Sequence, residues 1–243
     1  MKTKWGISGS ILKWFAVITM VIDHFGASIL ETYVMNVWGR SPLGNLFSDH
    51  WNELLRVDRI LRYIGRPAFP IFCFLLVEGF LHTRDVKKYA MRLGIFALIS
   101  EIPFDLAVRG KFFDWQYQNV YITLLLGILT IWTLKTQKDV WYLCLVIAAA
   151  GCALGELVHC DYGAMGVALI VVLYLMRESR FQQCITGAIC TYWELPAPLA
   201  FIPIWFYNGE RGRQPKWFFY WFYPVHLLIY GVIGSWILPG ILL

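Results

Sequence analysis

The chain has 243 residues, 58% of them hydrophobic and only 15% charged, with a mean hydropathy of +0.57. Soluble domains carry about 25% charge and about 45–50% apolar residues, so a soluble fold is excluded, and the same apolar surplus excludes a disordered chain. The formal net charge of +5 is read as base collected on the cytoplasmic loops of a polytopic membrane protein and not as a nucleic-acid surface.

A helix needs roughly 20 apolar residues to cross a bilayer core. The apolar runs predict an all-α chain with spans near 9–31, 60–82, 89–108, 118–135, 140–158, 164–176, 183–194, 197–207 and 217–240. About nine transmembrane helices would enclose a polar pore or cavity, in a single domain over 1–243. The seventh and eighth runs are short and bounded by Pro196, Pro198 and Pro203. They are either two spans or one hairpin of half-spanning helices, which is tolerated at membrane depth when packed in protein.

With the N-terminus cytoplasmic, 13 Lys and Arg fall inside, among them Lys2, Lys4, Lys138 and Arg211, and five fall outside, Arg40, Arg56, Arg59, Arg109 and Lys111. That asymmetry is the positive-inside pattern. The largest outer loop, near residues 32–59, carries Trp38, Pro42 and Trp51. A cleavable signal needs an uninterrupted apolar h-region. Lys13, Asp23 and His24 interrupt this one, so the first segment is expected to remain. The six cysteines lie almost wholly in apolar runs with no C-x-x-C pair. They are read as small hydrophobes, without a disulfide framework or metal site.

An ionisable group inside the membrane is a candidate functional group. In the first span, Lys13 and His24 are 11 residues apart, about 20° of angular offset and about 16 Å of rise, so they share one helical face. Asp23 points toward a neighbouring helix. Lys13 either serves a ligand or snorkels to the interface. In the second span Arg66 precedes Pro67 and Pro70, and it either holds an anionic group or pairs with Asp23 or Glu101. Glu101 and Asp105 sit at i and i+4 around Pro103, a spacing that suits proton exchange or bonds from arginine. Gln118 and Asn119 open the fourth span as a cap or a cavity-facing pair. Asp161 opens the sixth as an N-cap, and Gly151 and Gly155 allow close helix packing. The turn Tyr207–Asn208–Gly209–Glu210–Arg211–Gly212 either cradles phosphate or is a basic loop. His226 lies inside the last span.

The strings LKWFAVITMVIDHFGA, RYIGRPAFPIFCFLLVEGFLHTRD, ALISEIPFDLA, YNGERG and FFYWFYPVHLLIY, spread over residues 10–230, resemble the TraX family, whose founding member acetylates F-pilin at its N-terminus. That family is in turn similar to transmembrane acyltransferases of surface polysaccharides and of lysosomal heparan. In those relatives a basic residue, ten positions and a histidine mark the first helix, the spacing of Lys13 and His24 here. The resemblance implies acetyl transfer across a bacterial inner membrane. Cytoplasmic acetyl-CoA would be the co-substrate, and a pilin-like amine or a glycan hydroxyl at the outer face the acceptor. The pantetheine arm has about the reach of the Lys13-to-His24 separation. The expected catalytic set is His24, Asp23, Glu101 and Asp105. Lys13, Arg66, Asn119, Asn208, Arg211 and His226 are expected against acetyl-CoA, and His226 at its entrance. The competing classes are a proton-coupled transporter relaying through Asp23, His24, Glu101 and Asp105, and a non-catalytic assembly scaffold.

Overall fold

The structure, a computed structural model, describes residues 6–38, 48–137 and 139–242. Lys2, Lys4, Arg40, Pro42 and Lys138 of the charge and loop readings lie outside the described residues. Those described form helices and turns, with two isolated bridges, Ile7 with Tyr207 and Gln118 with Cys160.

Helix α1 (Gly9–Phe25) begins at Ser8, whose hydroxyl accepts from the Ile11 N–H, and runs on as a π-helix over Gly26–Trp38. Two donors at its start are taken by a distant turn: Gly9 N–H donates to the Glu210 carbonyl at 2.8 Å, and the Ser10 hydroxyl to the Arg213 carbonyl at 2.7 Å. The orphan donors of a helix start need such partners. Meeting them here fastens the turn carrying Arg211 over the same end of α1 as Lys13.

Helices α2 (Trp51–Gly65) and α3 (Ala68–His82) part at Arg66 and Pro67, where proline breaks the ladder. A Cβ on Gly65 would overlap Asp23, so only glycine lets α2 approach α1 there. Helix α4 (Val86–Phe104), capped by Asp85, turns into a π segment at Asp105–Arg109. Helices α5 (Val120–Thr136), α6 (Trp141–Leu157) and α7 (Gly163–Leu175) follow. The seam of α6 is small-residue packing, with Gly151 against Thr130 and Gly155 against the Gly163 backbone. In lipid, helix association depends on such close approach and not on a hydrophobic drive. Val167, Ile170, Val171 and Leu173 bury α7 at the centre.

Helix α8 (Arg180–Cys190) and the short α9 (Phe201–Trp205) are joined by 3₁₀ turns at Tyr192–Glu194 and Ala197–Ala200. Eleven residues rise only about 16 Å, half of a roughly 30 Å hydrocarbon core. Phe181 meets Trp205 and Arg180 lies over Tyr207, so the chain returns to the end it left. The half-spanning hairpin is therefore the alternative the structure adopts, and 183–194 and 197–207 are not two separate spans. Among the described residues, three helices are long and apolar enough to cross a membrane, Gly9–Val37, Trp51–His82 and Trp217–Gly240, with shorter apolar helices at α5, α6 and α7.

Helix α10 (Lys216–Val232) continues as a π segment, Ile233–Ile237, into α11 (Leu238–Leu242). The three π segments meet at one end of the bundle. The Tyr33 hydroxyl donates to the Leu106 carbonyl at 2.5 Å and pairs with Ser235 Oγ at 2.7 Å. Thr32 Oγ1 donates to the Val108 carbonyl at 2.8 Å. This tie holds α1, α4 and α10 together just beyond His24.

Candidate functional site

Two cavities open at opposite stretches of α1. The first, of about 720 Å³, is lined by Lys13, Glu78, Arg84, Tyr89, Arg92 and Arg211. The second, of about 530 Å³, is lined by Asp23, His24, Arg62, Arg66, Asp161 and Glu194. The 11-residue spacing thus does what the helical period dictates: one face of one helix presents an ammonium to one cavity and an imidazole to the other. The Lys13 Nζ lies 4.5 Å from the Phe219 ring centroid, a cation–π contact that steers it toward α10. The first cavity gathers Lys13, Arg84, Arg92 and Arg211, donor groups suited to phosphate.

At the second cavity, His24 Nδ1 is 2.6 Å from His226 Nε2, with the rings parallel at 5° and 4.9 Å between centroids. His226 Nδ1 is 2.7 Å from the Phe222 carbonyl oxygen. Phe222 stacks on His226, and the Tyr223 and Tyr230 rings stand edge-on to it. His226 is 6% exposed. It was expected at the acetyl-CoA entrance; the approach of α10 to α1 puts it against His24 instead, and it lines neither cavity.

The charged residues are paired across elements. Arg62 Nη1 donates to Asp23 Oδ2 at 2.5 Å, and Arg66 Nη1 to Glu194 Oε1, at the hairpin tip, at 2.7 Å. Asp23 does meet a neighbouring helix, as its angle on α1 requires. Arg66 pairs with neither Asp23 nor Glu101: Arg62, one helical turn earlier, takes Asp23, and Arg66 reaches Glu194 at the hairpin tip. In the loop before α7, His159 and Tyr162 adopt φ of 53° and 67°, conformations that cost non-glycine residues energy and concentrate at functional sites. They present Asp161, which accepts from the Tyr117 hydroxyl at 2.6 Å. Burial pushes the Asp161 carboxyl above its ordinary range, opposed by the Tyr117 bond and by Arg62 and Arg66. Burial and the adjacent Asp161 also raise the Tyr117 phenol, so it stays a donor.

Of the residues singled out from sequence, Asp23, His24, Arg66 and His226 come together around the second cavity, and Lys13 and Arg211 line the first. Glu101, Asp105, Asn119 and Asn208 line neither. Asn119 donates to the Ala97 carbonyl and to Glu101, and its Oδ1 accepts from Tyr121 N–H, bracing α4 against the start of α5. Asp105 accepts from Asp114 N–H at 2.7 Å and so holds the following loop. Asn208 Oδ1 accepts from Glu210 N–H and shapes the turn beside Lys13. Sequence reasoning missed Arg62, Tyr117, Asp161 and Glu194 as site residues. Glu194 carries a readable signal, a carboxylate inside an apolar, proline-bounded run; Asp161 reads in sequence as an N-cap, yet the N-cap of α7 is Tyr162.

Fold and site together define an all-helical protein with transmembrane helices and a charged cavity at each end of its first helix. The chain belongs to the TraX family: the family described as TraX protein matches residues 8–234, in line with the resemblance carried by the sequence blocks. It is similar to the probable fimbrial assembly protein FimC, serogroup H1, of Dichelobacter nodosus, at 28% identity over 249 residues, covering 90% of this chain and 92% of that one. No solved structure matches the chain.

Proposed function

We propose that this protein is an acetyl-CoA-dependent acetyltransferase of a bacterial inner membrane. It would take the acetyl group from the cytoplasm and deliver it to an amine or hydroxyl at the outer face. The observation that carries this reading is the placement of Lys13 and His24 on one helix, each lining a separate cavity, about 16 Å apart along the axis. The first cavity suits the coenzyme's phosphates, and its pantetheine arm would run along α1 to bring the thioester to His24. The acceptor's lone pair attacks the thioester carbonyl and its proton passes to His24. The carbon–sulfur bond then breaks, and the departing coenzyme thiolate recovers the proton. A positioned histidine suits both transfers. The Asp23–Arg62 and Arg66–Glu194 pairs fix the walls of the acceptor cavity. The name of the Dichelobacter relative, a fimbrial assembly protein, supports an acceptor on a pilus subunit. A proton relay for transport gains no support, since Glu101 and Asp105 are bonded away from the His24 cavity.

The decisive experiment is release of coenzyme thiol from acetyl-CoA by purified protein in lipid, with an amine and a sugar acceptor supplied in parallel. Thiol release is expected in the wild type. Lys13→Ala should raise the KM for acetyl-CoA about 10–150-fold while leaving kcat close to normal, because it removes one charge-assisted contact of about 1.5–3 kcal/mol. An unchanged KM in folded Lys13→Ala protein would remove Lys13 from the coenzyme site.

The orientation is tested separately. On the N-in arrangement, a reporter fused after Val86 is expected in the cytoplasm and one fused near Ser48 outside it. The opposite pattern would put the basic cavity at the wrong surface for acetyl-CoA.

A further inference from the structure

We infer that His226 is a positioning residue that holds His24 in a single tautomer, with the proton on Nδ1 and the lone pair on Nε2. A carbonyl oxygen accepts hydrogen bonds and cannot donate them. The Phe222 carbonyl oxygen lies 2.7 Å from His226 Nδ1, so that nitrogen carries a hydrogen. In a neutral ring the other nitrogen, Nε2, is then a bare acceptor. It sits 2.6 Å from His24 Nδ1, and a contact that short needs one hydrogen between the two nitrogens. His24 must supply it. Its Nε2 is left unprotonated, and that atom is the one able to accept a proton in the reaction.

The surroundings favour the neutral form. His226 is 6% exposed and is walled by Phe222, Tyr223 and Tyr230. Its two ring nitrogens are engaged by a neutral carbonyl and a second imidazole, so no carboxylate bonds to it to support an imidazolium. Free imidazole side chains in water prefer the proton on Nε2. Both rings here are therefore held in the less common tautomer, and the bond at one nitrogen sets the state of the other. His226 acts through His24 and touches no substrate. The carbonyl–His226–His24 chain takes the part that an orienting carboxylate plays beside other catalytic histidines, where loss of tautomer control costs about 10⁴-fold in kcat.

The catalytic consequence rests on the reading of His24 as the general base; the tautomer itself does not, and the experiment separates them. Nitrogen-15 spectra of histidine-labelled protein in lipid bilayers distinguish protonated from bare ring nitrogens, and the His24 signals are identified by their loss in His24→Gln. In the wild type, His24 is expected protonated at Nδ1 and bare at Nε2. In His226→Leu it should revert to the Nε2-protonated form, and kcat for acetyl transfer should fall about 10²–10⁴-fold with the KM for acetyl-CoA within about twofold. In His226→Gln the amide oxygen can accept from His24 Nδ1–H, so the tautomer should persist and kcat stay within about tenfold. Wild-type His24 protonated at Nε2 overturns the proposal whatever the activity. His226→Gln losing as much rate as His226→Leu also overturns it. Wild-type protein with the expected tautomer but without thiol release from acetyl-CoA would instead sink the acetyltransferase reading and leave the proton assignment standing.

Discussion

His24→Gln is expected to lower the turnover of acetyl transfer by about 10²–10⁴-fold, equivalent to about 2.7–5.4 kcal/mol of barrier, with acetyl-CoA binding unchanged. Glutamine keeps the bulk of the ring and, through its amide, a hydrogen bond to His226 Nε2. What it cannot do is take up a proton near neutral pH. Lys13, at the other cavity, should still hold the coenzyme, so binding and turnover separate. The measurement is single-turnover transfer alongside equilibrium binding of acetyl-CoA on folded protein in lipid. Near-normal transfer by His24→Gln would end the general-base assignment and turn attention to Asp161 and Glu194, two of the other proton acceptors lining that cavity.

Arg66→Met should destabilise the protein by about 3 kcal/mol. Removing one partner of a buried pair leaves the other charge without compensation, a loss of about 3–5 kcal/mol for fully buried pairs. The Arg66 and Glu194 side chains retain 25% and 11% of their exposure, which sets the expectation at the low end. The damage should be local before it is global, because Glu194 anchors the tip of a hairpin that reaches only part-way through the bundle. Arg66→Met combined with Glu194→Leu should recover most of the loss, since an apolar pair of similar volume has no stranded charge. Denaturant titration in micelles reads both variants. A single variant within about 0.5 kcal/mol of wild type, or a double variant no better than the single, would show that the ion pair does not anchor the tip.

Much of the site was readable where one helix carries it. Lys13 and His24 need only the helical period, and the period held through α1 because Gly9–Phe25 is regular α-helix. The same arithmetic gave no site at Glu101 and Asp105. They do stay one α turn apart, with Asp105 N–H on the Glu101 carbonyl, but each carboxylate took a partner from outside the pair, Asn119 at the start of α5 and Asp114 N–H in the following loop. Asn119 and Asn208, polar and near the ends of apolar runs, had the composition of ligand contacts. Local backbone groups use them instead, as short polar side chains at helix starts and turns commonly are.

The sequence by itself determined the membrane class, the all-helical fold, the approximate place of the helices and the shared face of Lys13 and His24. Each follows from counting apolar residues and turns along a continuous stretch. The tertiary structure alone decided the partners: His226 for His24 across 202 positions, Arg62 in place of Arg66 for Asp23, and Glu194 for Arg66. It also decided that the two proline-bounded runs form one hairpin. These choices depend on the depth at which separate helices cross and on which faces they turn toward each other. In lipid, that is settled by close packing at small residues such as Gly65 and Gly155 and by the need to pair every buried charge, neither of which has a period that a single segment displays.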